Sequence, residues 1–101
     1  MQDRPTAMIT SEDLIACGIM QCYQEKGFSV LHDISVVGFD NSILSTVVAP
    51  RLTTVNQFMY KKAECAVEML LHAIEDSEYR NDLKVMDVDL IRRNSVLHLD
   101  S

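Results

Sequence analysis

The chain has 101 residues, 48% of them hydrophobic and 24% charged, with 15 acidic against 9 basic side chains and a formal net charge of -6. That balance describes about one soluble globular domain and excludes a disordered chain, whose apolar content would be too low to build a core. It also argues against direct binding of a nucleic-acid backbone, which draws its affinity from clustered Lys and Arg; here only Lys61 with Lys62 and Arg92 with Arg93 stand side by side, and each pair reads as a solvated surface.

Taken in chain order, Pro5 to Thr10 (PTAMIT) is a short apolar run suited to a buried strand. Thr10 or Ser11 can then cap a helix whose first turn holds Glu12 and Asp13 against the positive end of the helix dipole. That helix is expected to run to about Lys26, to bury Ile15, Ile19, Cys22 and Tyr23, and to stop at Gly27 in a left-handed conformation. Ile34 to Phe39 (ISVVGF) lacks polar alternation, as a parallel strand covered on both faces does, and Asp40 falls at its carboxyl end. Ser42 is placed to cap a short helix through Val48, which Pro50 ends, and Leu52 to Val55 returns to extended structure. Met59 to Glu75 carries the most regular pattern: Met59, Ala63, Ala66, Val67, Leu70, Leu71 and Ile74 form one apolar stripe at helical spacing, opposite Glu64, Glu68, His72 and Glu75. Asp76 to Asp82 is a polar loop, and Leu83 to Arg93 supplies one bent strand or two short ones. The order is α/β, with parallel strands joined by right-handed helical connections.

No apolar stretch reaches the length of a membrane span, and the opening MQDRPTAMIT lacks the basic and then hydrophobic order of a secretion signal, so no membrane partner and a cytoplasmic location are expected. Cys17 and Cys22 lie about 140° apart around a helix and cannot bridge each other there, and Cys65 is an odd third; all three read as small buried side chains. His32, His72 and His98 have no ligand spacing to one another or to the cysteines, so neither a metal nor another cofactor is expected.

In open α/β sheets, ligands bind beyond the carboxyl ends of the strands. Acids stand there twice, as Glu12 and Asp13 after the first strand and as Asp40 after the second, and adjacent parallel strands bring the two tips into one crevice. A carboxylate so placed can accept two charge-assisted hydrogen bonds from the hydroxyls of a polyol. The competing readings are structural: Asp13 stabilises its helix end, and Asp40 caps the turn before Ser42.

The segment PTAMITSEDLIACGIMQCYQEKGFSVLHDISVVGFDN, followed by LTTVNQ and later by LIRRNSV, resembles the C-terminal portion of the effector-binding domain in the lactose/galactose repressor family of bacterial transcription regulators. The likeness spans roughly Pro5 to Ser95, and its most specific parts are DISVVGFD, LTTV-x-Q and the spacing between them. It implies part of a type I periplasmic-binding-protein-like fold, a three-layer sandwich with a mostly parallel sheet: residues 5-52 in the C-terminal lobe, 53-82 as crossover and helix of the N-terminal lobe, and 83-96 as the return strand. It implies that Asp40, Glu12, Asp13 and Gln57 bind a small effector, a sugar or related polyol, and that Cys17, Ile19, Met20, Val47 and Val48 lie at a homodimer interface. Glu12 stands where many members carry asparagine, which removes two donors, adds a charge and leaves room for a cation-bearing effector or an unusual sugar. Leu31 and Phe58 stand where proline is common.

Neither a helix-turn-helix nor most of the N-terminal lobe has a counterpart in these residues, so DNA is expected to be reached only through a helix-turn-helix outside them. The apolar stripe of residues 59-75 then lacks its own lobe, and two copies are expected to pair or exchange these segments. No turnover is expected. Two other readings compete: a periplasmic-type solute receptor, and a receiver-like phosphoacceptor domain, for which no lysine at the end of a late strand completes the site.

Overall fold

The computed structural model describes residues 4-80 and 83-99. In chain order they form strand β1 (Ala7–Ile9), helix α1 (Asp13–Glu25), strand β2 (Ser35–Val37), helix α2 (Leu44–Val47), strand β3 (Thr54–Asn56), helix α3 (Met59–Glu75) and strand β4 (Asp89–Ile91). β1 and β2 pair in parallel with Met8 opposite Val36, and the pairing extends past the strand end through Thr10 N–H to Val37 O at 2.9 Å. On its other side β2 meets the approach to β3 through a parallel bridge between Val37 and Thr53, with Gly38 N–H donating to Thr53 O at 2.8 Å and Asp40 N–H to Val55 O at 2.8 Å. β3 then leaves this sheet and pairs antiparallel with β4, Val55 opposite Leu90. Beyond β4 the chain returns to the first sheet, where fully buried Ser95 donates its hydroxyl to Val36 O at 2.5 Å and accepts Thr53 N–H at 2.9 Å.

The core lies between α1 and β2. Ala16, Met20, Val30, Ile34, Val36 and Leu52 are buried together, with Met8, Cys17, Tyr23 and Val48 packed around them. Withdrawing Met20, 2% exposed, from water contributes on the order of 2 kcal/mol. This corrects the face expected for α1. Ile15 is 45% exposed and Cys22 is exposed, while Asp13, Ala16 and Met20 turn inward. Residues 13, 16, 20 and 23 and residues 15, 19 and 22 form two stripes at helical spacing, and the first, despite its acid, faces the sheet.

The ends of α1 are set locally. Gly27 adopts a φ of +87°, its N–H donates to Gln24 O and that of Phe28 to Tyr23 O, a Schellman closure completed by edge-on contact of the Tyr23 and Phe28 rings. At the start neither Thr10 nor Ser11 caps the helix: the extended residue before it is Glu12, and the Thr10 hydroxyl lies 3.0 Å from both Glu12 O and Val37 O, bridging helix entry and strand. Ser42 likewise does not cap α2 through its side chain, which is engaged elsewhere.

α3 has the bounds its periodicity predicts, and no residue of it is buried. Val67, Leu70, Leu71 and Ile74 are all more than half exposed. The molecule is drawn out to 58 × 28 × 19 Å. Of the three layers of the expected sandwich, the described residues supply the sheet and the layer of α1 and α2. Residues 83-88 run unpaired beside α3, so the expected strand shortens to β4. Residues 81 and 82 of the expected polar loop fall outside the described residues. Leu31 and Phe58, which stand where the resembled family commonly has proline, have φ of 97° and 52°, a region closed to proline because its ring fixes φ near -65°.

Candidate functional site at the carboxyl end of the first sheet

The carboxyl ends of β1 and β2 point the same way, and one backbone bond locks together the segments beyond them: Asp13 N–H donates to Phe39 O at 3.0 Å. Glu12 precedes one member of that bonded pair and Asp40 follows the other, so the helix entry and the strand tip lie against each other. The helix can approach this closely because residue 38 is glycine. A Cβ there would overlap Asp13 Oδ1 and lie 2.7 Å from Leu52 Cδ2. The glycine of VVGFD is therefore a matter of space for the Asp13 side chain.

Asp13 is 1% exposed and holds the tip from beneath. Its Oδ1 accepts the Thr54 hydroxyl at 2.6 Å; its Oδ2 accepts Ser42 N–H at 2.6 Å and the Ser42 hydroxyl at 2.8 Å. All three donors are neutral, and the charge is offset by them and by its place in the first turn of α1. With both oxygens engaged and the group buried, Asp13 is not positioned to meet a molecule arriving from solvent. It joins helix entry, strand tip and β3, which corrects its expected part in ligand contact.

Asp40 is half-buried at the tip with a φ of 112°, followed by Asn41 at 53°, two successive non-glycine residues in left-handed backbone. Gln57, just beyond β3, donates its side-chain amide to Asp40 Oδ1 and accepts Lys62 Nζ at 3.0 Å from the first turn of α3. Asn41 N–H reaches the Thr54 hydroxyl at 3.2 Å. Glu12 is exposed and extended at the entry of α1. The structure thus brings Asp40 and Gln57 into contact, while Glu12 stands at the helix entry, next in sequence to the residue that bonds Phe39. A carboxylate, an exposed acid and an amide can together accept from and donate to a cluster of hydroxyls.

The residues expected at a subunit interface separate. Met20 belongs to the core and is corrected out of that group; Cys17 and Val48 are half-buried against the core, and Ile19 is half-buried. Burial, and then the neighbouring Asp13 charge, push the Cys17 thiol up from its ordinary value. Val47 is 68% exposed and has Ile43, 76% exposed, beside it. Together with Ile15, Ile19 and Cys22, these leave an apolar outer surface on the α1–α2 layer. Among the described residues no group of three or more His, Cys, Asp or Glu is arranged to hold a metal ion, and no helix is long and apolar enough to cross a membrane.

Sequence reading missed four residues that build the tip. Ser42 reads in the sequence as a helix cap rather than as a partner of Asp13, and Ser45 and Thr54 gave no signal beyond helix and strand propensity. Arg93 stood in the LIRRNSV segment, yet its partners lie 40 to 52 residues away in sequence, where no local pattern can reveal them.

Residues 1–96 match the periplasmic binding protein-like domain family. The sequence is 37% identical over 100 residues to the HTH-type transcriptional repressor PurR of Vibrio atlanticus, an alignment covering 99% of this chain and 30% of that protein. Among solved structures, the lac repressor dimer bound to operator and the anti-inducer ONPF superposes with a TM-score of 0.81 at 33% identity, over 93% of this chain and 32% of the other. A LacI family transcriptional regulator from Enterococcus faecium with bound ribose superposes with a TM-score of 0.83 at 26% identity, over 98% of this chain and 37% of the other. The chain spans about a third of the length of these relatives.

Proposed function

The chain belongs to the periplasmic binding protein-like domain family, in its lactose/galactose-repressor branch, and we propose from that premise that it forms one wall of a small-molecule effector site in a transcription regulator. The observation that carries this reading is the placement of Asp40: half-buried at a strand tip, braced by Gln57, and one residue from the backbone bond that ties the tip to the entry of α1. Asp40 accepts hydroxyl donors of a sugar or related polyol, Gln57 offers an amide toward the same molecule, and Glu12 adds a second acceptor. These are binding roles, and they entail no turnover.

In this reading residues 5-52 form the C-terminal lobe, while residues 53-82 and 83-96 are the outgoing and returning crossings of a second lobe that carries α3. An effector between two lobes acts by binding their closed arrangement better than their open one, and that difference shifts an attached DNA-binding unit. DNA is reached through a helix-turn-helix outside these residues, in the cytoplasm. Two copies pair through the outer surface of α1 and α2, where Val47 and Ile43 are exposed, and in the isolated chain they also pair or exchange α3, whose stripe is uncovered.

The test is calorimetric titration with D-ribose and a panel of small polyols, comparing the parent chain with Asp40→Asn. Asparagine tolerates left-handed backbone, so the turn survives while the charged acceptor is lost. Binding is expected to weaken about 10-fold or more, the scale of one charge-assisted hydrogen bond. Equal affinity in the two proteins would contradict the assignment.

A further inference from the structure

Arg93 follows β4 on the segment that returns to the first sheet, and it bonds to α2, to the approach to β3 and to the turn that follows Asp40. Its backbone N–H donates to the Thr53 hydroxyl at 3.0 Å. Its Nη1 donates to the Ser45 hydroxyl of α2 at 2.8 Å and to Leu52 O at 3.0 Å, and its Nη2 donates to Asn41 Oδ1 at 2.9 Å. The acceptors are neutral oxygens from three separate segments. A guanidinium is planar and rigid, so donors on its two terminal nitrogens hold those segments at a fixed separation, which a single ammonium cannot do.

The residue held by Nη2 is the second of the two left-handed residues at the tip. Successive non-glycine residues at φ of 112° and 53° persist only where their surroundings over-determine them. Asp40 N–H is fixed by Val55 O and Asn41 N–H by the Thr54 hydroxyl, both on β3; the Asn41 side chain is fixed by Arg93. The turn is thus gripped by β3 and by the segment leaving β4, the two strands that form the antiparallel pair.

We propose that Arg93 is the positioning residue of the site: it holds the Asp40–Asn41 turn in the shape that presents the Asp40 carboxylate, and it ties that turn to α2 and to the β3–β4 pair. A displacement of that pair relative to the β1–β2 sheet then moves the carboxylate and α2 together. The proposal rests on the reading that Asp40 faces a guest molecule, but the state of the turn is measurable without one.

The experiment is residue-resolved amide hydrogen exchange on the full chain as Arg93→Lys, Arg93→Gln and Asn41→Asp. Lysine keeps the charge but cannot reach Asn41 together with Ser45 and Leu52. In both Arg93 variants exchange at Asp40 and Asn41 is expected to accelerate about 10-fold or more, the scale of a lost charge-assisted bond, while Val36 N–H, bonded to Ser95 O, stays near its parent rate. Asn41→Asp turns the acceptor into a carboxylate and is expected to slow exchange at the same two amides, so the proposal remains testable if an Arg93 variant does not fold. Uniform acceleration across the chain, or no change at the two amides, would overturn it. D-ribose titration of the same variants separates the two layers. A loosened turn in a chain that never binds ribose or the other polyols upholds positioning and removes the ligand reading; equal ribose affinity in parent and Arg93→Lys, with the turn loosened, removes the functional part of the positioning role.

Discussion

Asp13 offers the sharpest perturbation, because its carboxylate is 1% exposed and accepts three hydrogen bonds from two residues, one in the turn before α2 and one on β3. In Asp13→Asn one oxygen becomes an NH2 group. Turned toward Ser42 it would confront a backbone N–H that cannot reverse; turned toward Thr54 it meets a hydroxyl that can rotate and accept. The second orientation wins, and the cost is the change of charge-assisted bonds into neutral ones, partly offset by removing a buried charge, in all about 1 to 3 kcal/mol. Asp13→Ala leaves the Ser42 N–H without an acceptor, strands two hydroxyls and opens a void, which together cost about 3 to 5 kcal/mol. Set against a total of about 5 to 15 kcal/mol for a domain of this kind, alanine brings the chain near unfolding while asparagine does not. Urea unfolding, with midpoints compared at constant slope, reads both values. An alanine variant within about 1 kcal/mol of the parent would refute the view that Asp13 holds the tip together.

Gly38→Ala drives a methyl into Asp13 Oδ1 and is expected to cost about 3 kcal/mol in thermal unfolding; combined with Asp13→Ala the two losses should fall well short of their sum, since they break one contact. The Ser29 N–H at 2.6 Å, with Arg4 adding to it, holds the Asp33 carboxyl below its ordinary value. A carboxyl depressed in the folded state contributes stability above its unfolded pKa and loses it as pH falls through the folded one, so Asp33→Asn should flatten the acid limb of the pH–stability curve and leave neutral pH closer to the acid value. Lys in place of both Leu70 and Ile74, which are 61% and 70% exposed on α3, should reduce self-association in sedimentation equilibrium without lowering the unfolding midpoint; unchanged association would remove α3 from the proposed contact.

Much of the fold was legible because it is decided locally. The stripe of α3, the Gly27 stop and the acid at the end of the second strand all come from spacing and backbone preference within a few residues, and the structure has each of them. The inward face of α1 was not legible, since the helix has two apolar stripes and the one that faces the sheet begins with a carboxylate. Periodicity counts that acid against burial; only the arrival of Ser42 and Thr54, 29 and 41 residues later, makes it a core position. The same distance hid Arg93. The glycine of VVGFD was visible, but its reason was a side chain from another element.

Whether the tip of β2 receives a small polyol is tested most directly by a residue-resolved NMR titration of the chain with D-ribose and related polyols. Saturable shifts are expected to concentrate at Glu12, Asp40 and Gln57, with the core around Met20 unmoved. Gln57 also lines the hollow of about 430 Å³ that α3 shares with residues 83-88, so shifts confined to it and to Ala66, Met69 and Val85 there, or none that saturate at Glu12 and Asp40, would contradict a polyol site at the tip.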